Sequence, residues 1–354
     1  MIKGQVIGGD FDQVLIREKA ESPLELGELL IAEEGNTHML LQVYDLMYSS
    51  QVSRQSLEFI SGMHLEENVE LKLFDRNLRY YNIAKCKVLL TLNTKEISIS
   101  KRLPPIFSAI RTINESDLYF LSAPKYPVFV GYLRSGSKKL SQKIFLNSEE
   151  TLAHHVLIPA TTGRGKSNLT KCMLYNLLTE SSCGVLVIDP HDEYFGRNKP
   201  GLKDHPGNKV VYYTPQNPPA GTRSLKISII LLKPFHFESV LPWSDPQKEA
   251  LYAFWKAFKD QWIHAILSST PLEGFSESTL AVLRRRCMGL LDIVPDGEIL
   301  RCKGIFDTSQ GATTVDDIMS ALEKPSVVII DTSSFSGASE LLVSNLLATE
   351  IFDR

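Results

Sequence analysis

The stretch Ala160-Thr161-Thr162-Gly163-Arg164-Gly165-Lys166-Ser167 constrains the fold more than any other. Seven of its eight positions agree in kind with the phosphate-loop pattern G-x-x-x-x-G-K-[ST], the first glycine being replaced by alanine. That first glycine mainly relieves crowding where a strand enters the loop, whereas Gly165, Lys166 and Ser167 carry the chemistry. Successive backbone N–H groups and the start of a helix surround a β-phosphate, the Lys166 ammonium reaches the β and γ oxygens, and the Ser167 hydroxyl joins a Mg²⁺ shell. Such a loop belongs between a buried strand and a helix, and "HHVLIP" leading in and "NLTKCMLYNLL" leading out supply both. The expected cofactors are ATP and Mg²⁺.

Two apolar runs end in aspartate, "VLVIDPHDEY" and "SVVIIDTSSF". Either has the form of a Walker B strand, whose Asp holds Mg²⁺ through water, but neither is followed directly by a glutamate that would activate the attacking water. Asp189 and Glu193 lie four residues apart just beyond a strand tip, so one loop can aim both at a γ-phosphate. The alternative is that Asp189 caps a turn with Pro190 while Glu193 is solvated. Asp331 reads as a strand-end cap before a helix around "ASELLVSNLLATEIF". The expected catalytic residues are Lys166, Asp189 and Glu193, with Ser167 and Asp189 at the metal.

At 354 residues the chain exceeds the roughly 250–300 that one core usually fills, so two domains are expected. Residues 1–100 read as an N-terminal small β-barrel built from "QVIGGD", "DQVLIRE", "ELLIAEE", "HMLLQVYDLMY", "VELKLF" and "AKCKVLLTL", with "QVSRQSLEFISGM" as a helix. Residues 101–127, with Pro104, Pro105, Pro124 and Pro127, read as a connector. From 128 to 354, the runs "HHVLI", "GVLVID", "KISIILL" and "SVVIID" alternate with helical stretches, which implies an α/β domain with a parallel sheet. One expected helix opens at Ser244 with Gln247, or at Asp245 with Pro246, and places Leu251, Phe254, Trp255, Phe258 and Trp262 on one face as packing surface.

Composition excludes several classes. No apolar run approaches the roughly 18 residues of a membrane span, and Asp10 and Asp12 stand where a signal peptide would be apolar. The expected location is the cytoplasm, away from membranes. Cys86, Cys172, Cys183, Cys287 and Cys302 are odd in number and free of C-x-x-C spacing, which fits reduced thiols without a cysteine-held metal. A net charge of −3 leaves nucleic-acid contact to local clusters such as Arg284-Arg285-Arg286 or Lys138, Lys139 and Lys143.

"TTGRGKSN" followed by "LVIDPHDEY", behind an N-terminal barrel and a proline-containing connector, resembles the HerA family of hexameric DNA translocases, in the HerA/FtsK branch of RecA-like P-loop ATPases. "MIKGQVIGG" is similar to the opening of the family's HAS barrel, so the resemblance runs along essentially the whole chain. It implies a homohexameric ring that hydrolyses ATP between subunits, double-stranded DNA in the channel, and a NurA-type nuclease partner in end resection and recombination repair. Position by position it places Thr162, Gly163, Arg164, Gly165, Lys166, Ser167 and Asn168 on the nucleotide, and Asp189 and Glu193 near its γ-phosphate and metal. Three departures stand out. Asp192 occupies a position commonly glycine in the family, adding an acid near the phosphates unless it faces away. His154-His155 stand where an Arg-His pair supplies a finger to the neighbouring subunit. The run "SVVIIDTSSF…LATEIFDR" is similar to the segment before the family's Walker B strand and its acidic pair, and the chain stops there. Two expectations follow: a fragment of a longer translocase, or a short ring module that binds ATP to organise a partner effector and hydrolyses it poorly.

Overall fold

Apolar residues at every second position line the inside of the N-terminal strands, which curl into a closed barrel. A computed structural model, which describes residues 1–35, 37–66, 79–93, 97–180, 183–296 and 299–354, places β1 (Ile2–Gly9), β2 (Val14–Glu18), β3 (Leu29–Glu34), β4 (Thr37–Ser50), α1 (Arg54–Glu66), β5 (Tyr80–Leu92), β6 (Ile97–Ile99) and β7 (Ala109–Thr112). The strand order β2-β1-β7-β3-β4-β5 closes through pairing of β2 with β5, and β6 adds to β5 outside that ring. Val14 and Ile16, Leu30 and Ala32, Met39, Leu41 and Val43, and Ala84 and Cys86 fill the interior at every second position. The residues between them on β3 and β4 (Leu29, Ile31, Leu40) form a second apolar cluster with Leu92. The "QVSRQSLEFISGM" helix is α1, none of whose residues is buried, and "VELKLF" lies outside the described residues.

The hairpin β8 (Pro127–Ser135) and β9 (Lys138–Asn147) follows. The compact units are residues 1–125 with 129–146, and residues 126–128 with 147–354. This division differs from the expected boundary at 101–127. That proline-rich stretch contains β7, whose fully buried Ile110 joins the barrel core and pairs with both β1 and β3.

The second unit contains α2 (Ser148–Leu152), α3 (Lys166–Glu180), β10 (Val185–Asp189), β11 (Val210–Thr214), β12 (Arg223–Ser224), β13 (Ile227–Ser228), α4 (Pro234–Glu238), α5 (Asp245–Phe258), α6 (Trp262–Leu267), α7 (Glu277–Leu291), β14 (Ile293–Asp296), β15 (Ile299–Cys302), β16 (Phe306–Asp307), α8 (Thr314–Leu322), β17 (Val327–Asp331) and α9 (Gly337–Asp353). Its main sheet is parallel, in the order β10-β17-β11-β12, and β17 is buried throughout. The fold is therefore α/β, a small barrel followed by a parallel-sheet unit of the P-loop ATPase kind. Two expected strands differ. "HHVLIP" forms no strand among the described residues, and Val156 and Leu157 are 49% and 87% exposed, so an apolar run alone does not make a strand without a neighbouring ladder. "KISIILL" keeps only Ile227–Ser228 as strand before turning into a short 3₁₀ segment at Ile229–Leu231.

The helix expected near residue 244 begins as read, with the Ser244 N–H donating to Gln247 Oε1 at 3.3 Å. Leu251 and Phe254 are buried, while Trp255 is 38% exposed. A left-handed Lys259 (φ 47°) ends α5, so Trp262 starts α6 and enters the core there at 1% exposure.

Candidate nucleotide site

Helix α3 is seated by Met173, Leu174, Leu177 and Leu178, all buried, which fixes the position of its N-terminus. Residues 161–166 are exposed there. Gly163 (φ 79°) and Gly165 (φ 90°) take left-handed conformations that side chains resist, and no atom lies within 4 Å of where a Cβ would stand on either. The loop is an open cradle. The helical ladder begins with the Leu169 N–H donating to the Gly165 carbonyl at 2.9 Å, so the amides of Lys166, Ser167 and Asn168 precede it at the positive end of the helix dipole. Lys166 Nζ donates to the Ala160 carbonyl at 3.1 Å, across the mouth of the loop. Backbone donors, an ammonium and a hydroxyl around an open concavity fit a triphosphate with its Mg²⁺.

The acidic motif meets this loop through Glu193. The Glu193 carboxylate lies beside the Ser167 hydroxyl, which together with Lys171 and Lys199 holds it below the usual carboxylate range. Asp189 faces elsewhere. Its Oδ1 accepts from the N–H groups of His191 (3.3 Å) and Glu193 (3.1 Å), and its Oδ2 from that of Tyr194 (2.9 Å). Burial pushes its pKa up against those three amide bonds. Of the two arrangements open from sequence, Asp189 thus takes the turn-capping one, whereas Glu193 is aimed at the loop. Asp189 thereby holds the turn that carries Glu193.

Asp192 has φ 48°, the left-handed conformation that a glycine adopts freely. Its carboxylate turns to Arg197 Nε (2.9 Å) and the Tyr212 hydroxyl (2.7 Å), so the acid that departs from the family pattern has partners of its own. Arg197 and Tyr212 continue to Asp331 Oδ2 at 3.2 and 3.1 Å, and Thr214 Oγ1 joins at 2.8 Å. Asp331 Oδ1 accepts from the Ser333 N–H (3.0 Å) and hydroxyl (2.6 Å). Phe195 stacks on Tyr212 at 4.1 Å. The in-register pair Asp189 and Asp331 at the carboxyl ends of β10 and β17 therefore anchors two different turns. Sequence reading passed over Arg197, Tyr212 and Thr214; the one available signal was two tyrosines and a threonine in the otherwise apolar run "VVYYT". Replacing Asp192 by alanine is expected to destabilise the chain by roughly 1–2 kcal/mol more than replacing it by glycine, because only alanine retains the left-handed penalty. Urea unfolding of the two variants checks this; equal losses would mean that the carboxylate contacts set the whole cost.

Of the basic cluster on α7, Arg284 Nε donates to the Leu267 carbonyl at the end of α6 (2.8 Å) and Arg286 to the Pro242 carbonyl in the loop before α5 (2.5 Å), so two of the three arginines have structural partners. Among the described residues, no three His, Cys, Asp or Glu side chains converge as a metal site, and no helix is long and apolar enough to cross a membrane.

Comparison with known proteins agrees with this geometry. The family described as "Helicase HerA, central domain" matches residues 128–351. A protein named "Probable helicase MJECL08" from Methanocaldococcus jannaschii is 30% identical over 115 residues, 32% of this chain and 22% of that protein. An "Uncharacterized protein aq_aa31" from Aquifex aeolicus is 37% identical over 70 residues, 20% of this chain and 24% of the relative. The matches thus span under a quarter of either relative's length.

Proposed function

From the premise that the chain belongs to the family of the HerA helicase central domain, we propose that it is an ATP-dependent subunit of a hexameric ring that translocates duplex DNA. The observation that carries the reading is the placement of Glu193, after β10, beside Ser167 at the start of α3, which brings the phosphate loop and the acidic motif together at the carboxyl end of β10. Ligands of open α/β sheets bind at such carboxyl ends. When bound, Mg·ATP supplies the phosphoanhydride bond whose cleavage drives movement. Lys166 would neutralise the β and γ oxygens, the amides around Gly165 would orient the phosphates, and the Ser167 hydroxyl would help to hold the Mg²⁺. Glu193 is then the carboxylate placed to orient water. In its full form the reading includes cytoplasmic work beside a NurA-type nuclease in end resection and recombination repair; its support is the sequence resemblance.

A second reading is favoured by Asp189, whose oxygens are both committed to backbone amides. With one fewer acid at the phosphates, the chain is an ATP-binding ring module that organises a partner effector with little turnover. Measuring ATP binding and hydrolysis with and without linear duplex DNA separates the two. Turnover that rises with DNA is expected; binding without turnover would select the second reading, and no binding would overturn both.

A further inference from the structure

Between Pro127 and Asn147 the sequence contains Arg134, Lys138, Lys139 and Lys143 and no acidic residue. The whole chain has a net charge of −3, so with +4 in this hairpin the remainder carries −7. Leu133 packs against the apolar cluster of Leu29, Ile31, Leu40 and Leu92, and Gln142 Nε2 donates to the Leu121 carbonyl at 2.9 Å. These contacts fix the inner face of the hairpin. By strand alternation Tyr132, Arg134, Lys139 and Lys143 occupy the opposite face, where all four are exposed, with Lys138 exposed beside the turn. Lys139 Nζ lies 3.8 Å over the Tyr132 ring, joining the two strands. Among the described residues none of the four cations forms a salt bridge. Glu25 accepts from the Ser137 N–H at 2.6 Å, and Glu115, held by the Ser141 hydroxyl, sets one carboxylate between Lys139 and Lys143 on that face, which stays net positive with Arg134 and Lys138.

We propose that this face of the β8–β9 hairpin holds the phosphate backbone of a duplex nucleic acid without regard to sequence. Lys139 and Lys143 stand about 14 Å apart along an antiparallel strand, and each strand of a duplex carries one phosphate per roughly 3.4 Å of axis. The cationic row therefore spans about four phosphates, and a regular polyanion matches it at any position. An acidic protein surface would need carboxylates set to this one spacing. The inference rests on the duplex-DNA reading above and adds a contact in the unit that lacks the phosphate loop.

The test is binding of the full chain to a fluorescent linear duplex across a salt series. The triple variant Arg134→Gln, Lys139→Gln, Lys143→Gln is expected to flatten the slope of log affinity against log salt by about 2.7, about 0.9 for each cation removed, with unchanged thermal unfolding. Arg285→Gln, removing an exposed charge on α7, is expected to leave the slope as it was. An unchanged slope in the triple variant overturns the contact, assigning the face to an acidic protein while duplex binding stands. A flattening of about 0.9 by Arg285→Gln, the same per charge removed, overturns it too, because overall charge would then explain the effect. Absence of duplex binding by the unaltered chain overturns both this inference and the translocase reading.

Discussion

Lys166→Ala is expected to lower ATP turnover by at least about 10²-fold, the loss associated with one preorganised donor to a developing charge. The residue is exposed, and its ammonium meets one carbonyl, that of Ala160, across the loop. That bond is worth about 1 kcal/mol or less to the fold, so thermal unfolding should move little while phosphate release collapses. The separation of effects is the useful part. A fold-wide fault would lower both, and unchanged turnover would remove the phosphate loop from the chemistry. None of the bonds from Asp189 that hold the acidic turn involves Lys166, so the variant should keep the geometry of that turn while losing the charge that draws the triphosphate in.

The loop, the acidic motif and the barrel were legible because each is encoded locally. Glycines at left-handed positions, a lysine at a helix start and alternating residues such as Met39, Leu41 and Val43 are rules that a short window satisfies. What escaped is decided by neighbours distant in the chain. "HHVLIP" has the composition of a strand, but strand pairing depends on another segment, and none of the described residues supplies it. β7 lies in a proline-rich stretch and is strand because β1 and β3 flank it. Asp189 looks the same in sequence whether it faces a metal or its own turn; the deciding fact is that the amides of His191, Glu193 and Tyr194 curl back over it. Asp192 gave a partial signal, since a family glycine at that position marks a backbone that favours positive φ, and an aspartate tolerates that conformation better than most residues.

Asp331→Ala is expected to cost roughly 3–5 kcal/mol in urea unfolding, the range for breaking a buried charged pair by removing one partner. Asp331 is 3% exposed, and its two oxygens accept from Arg197, Tyr212, Thr214 and Ser333. Alanine would leave the Ser333 N–H and hydroxyl without their acceptor and take one acceptor each from Arg197, Tyr212 and Thr214, although Arg197 and Tyr212 keep Asp192 and Thr214 keeps the Gln216 carbonyl. The pH dependence has a definite sign. Burial alone would push the Asp331 pKa up, but hydrogen bonds from Ser333, Thr214 and Tyr212 outweigh it and bring it below the ordinary carboxylate value. A group depressed in the folded state contributes fully above its unfolded value, near 3.9, and loses that contribution as pH falls through its folded one. The gap between the unaltered chain and Asp331→Ala should therefore be widest at neutral pH and narrow below about pH 4. Asp189, raised by burial, acts in the opposite direction, its contribution being present below the ordinary value and lost as pH rises through the folded one. An acid-side loss that disappears in Asp331→Ala is thus attributable to Asp331, whereas a gap independent of pH would mean that the carboxyl group matters for its shape and not for its charge.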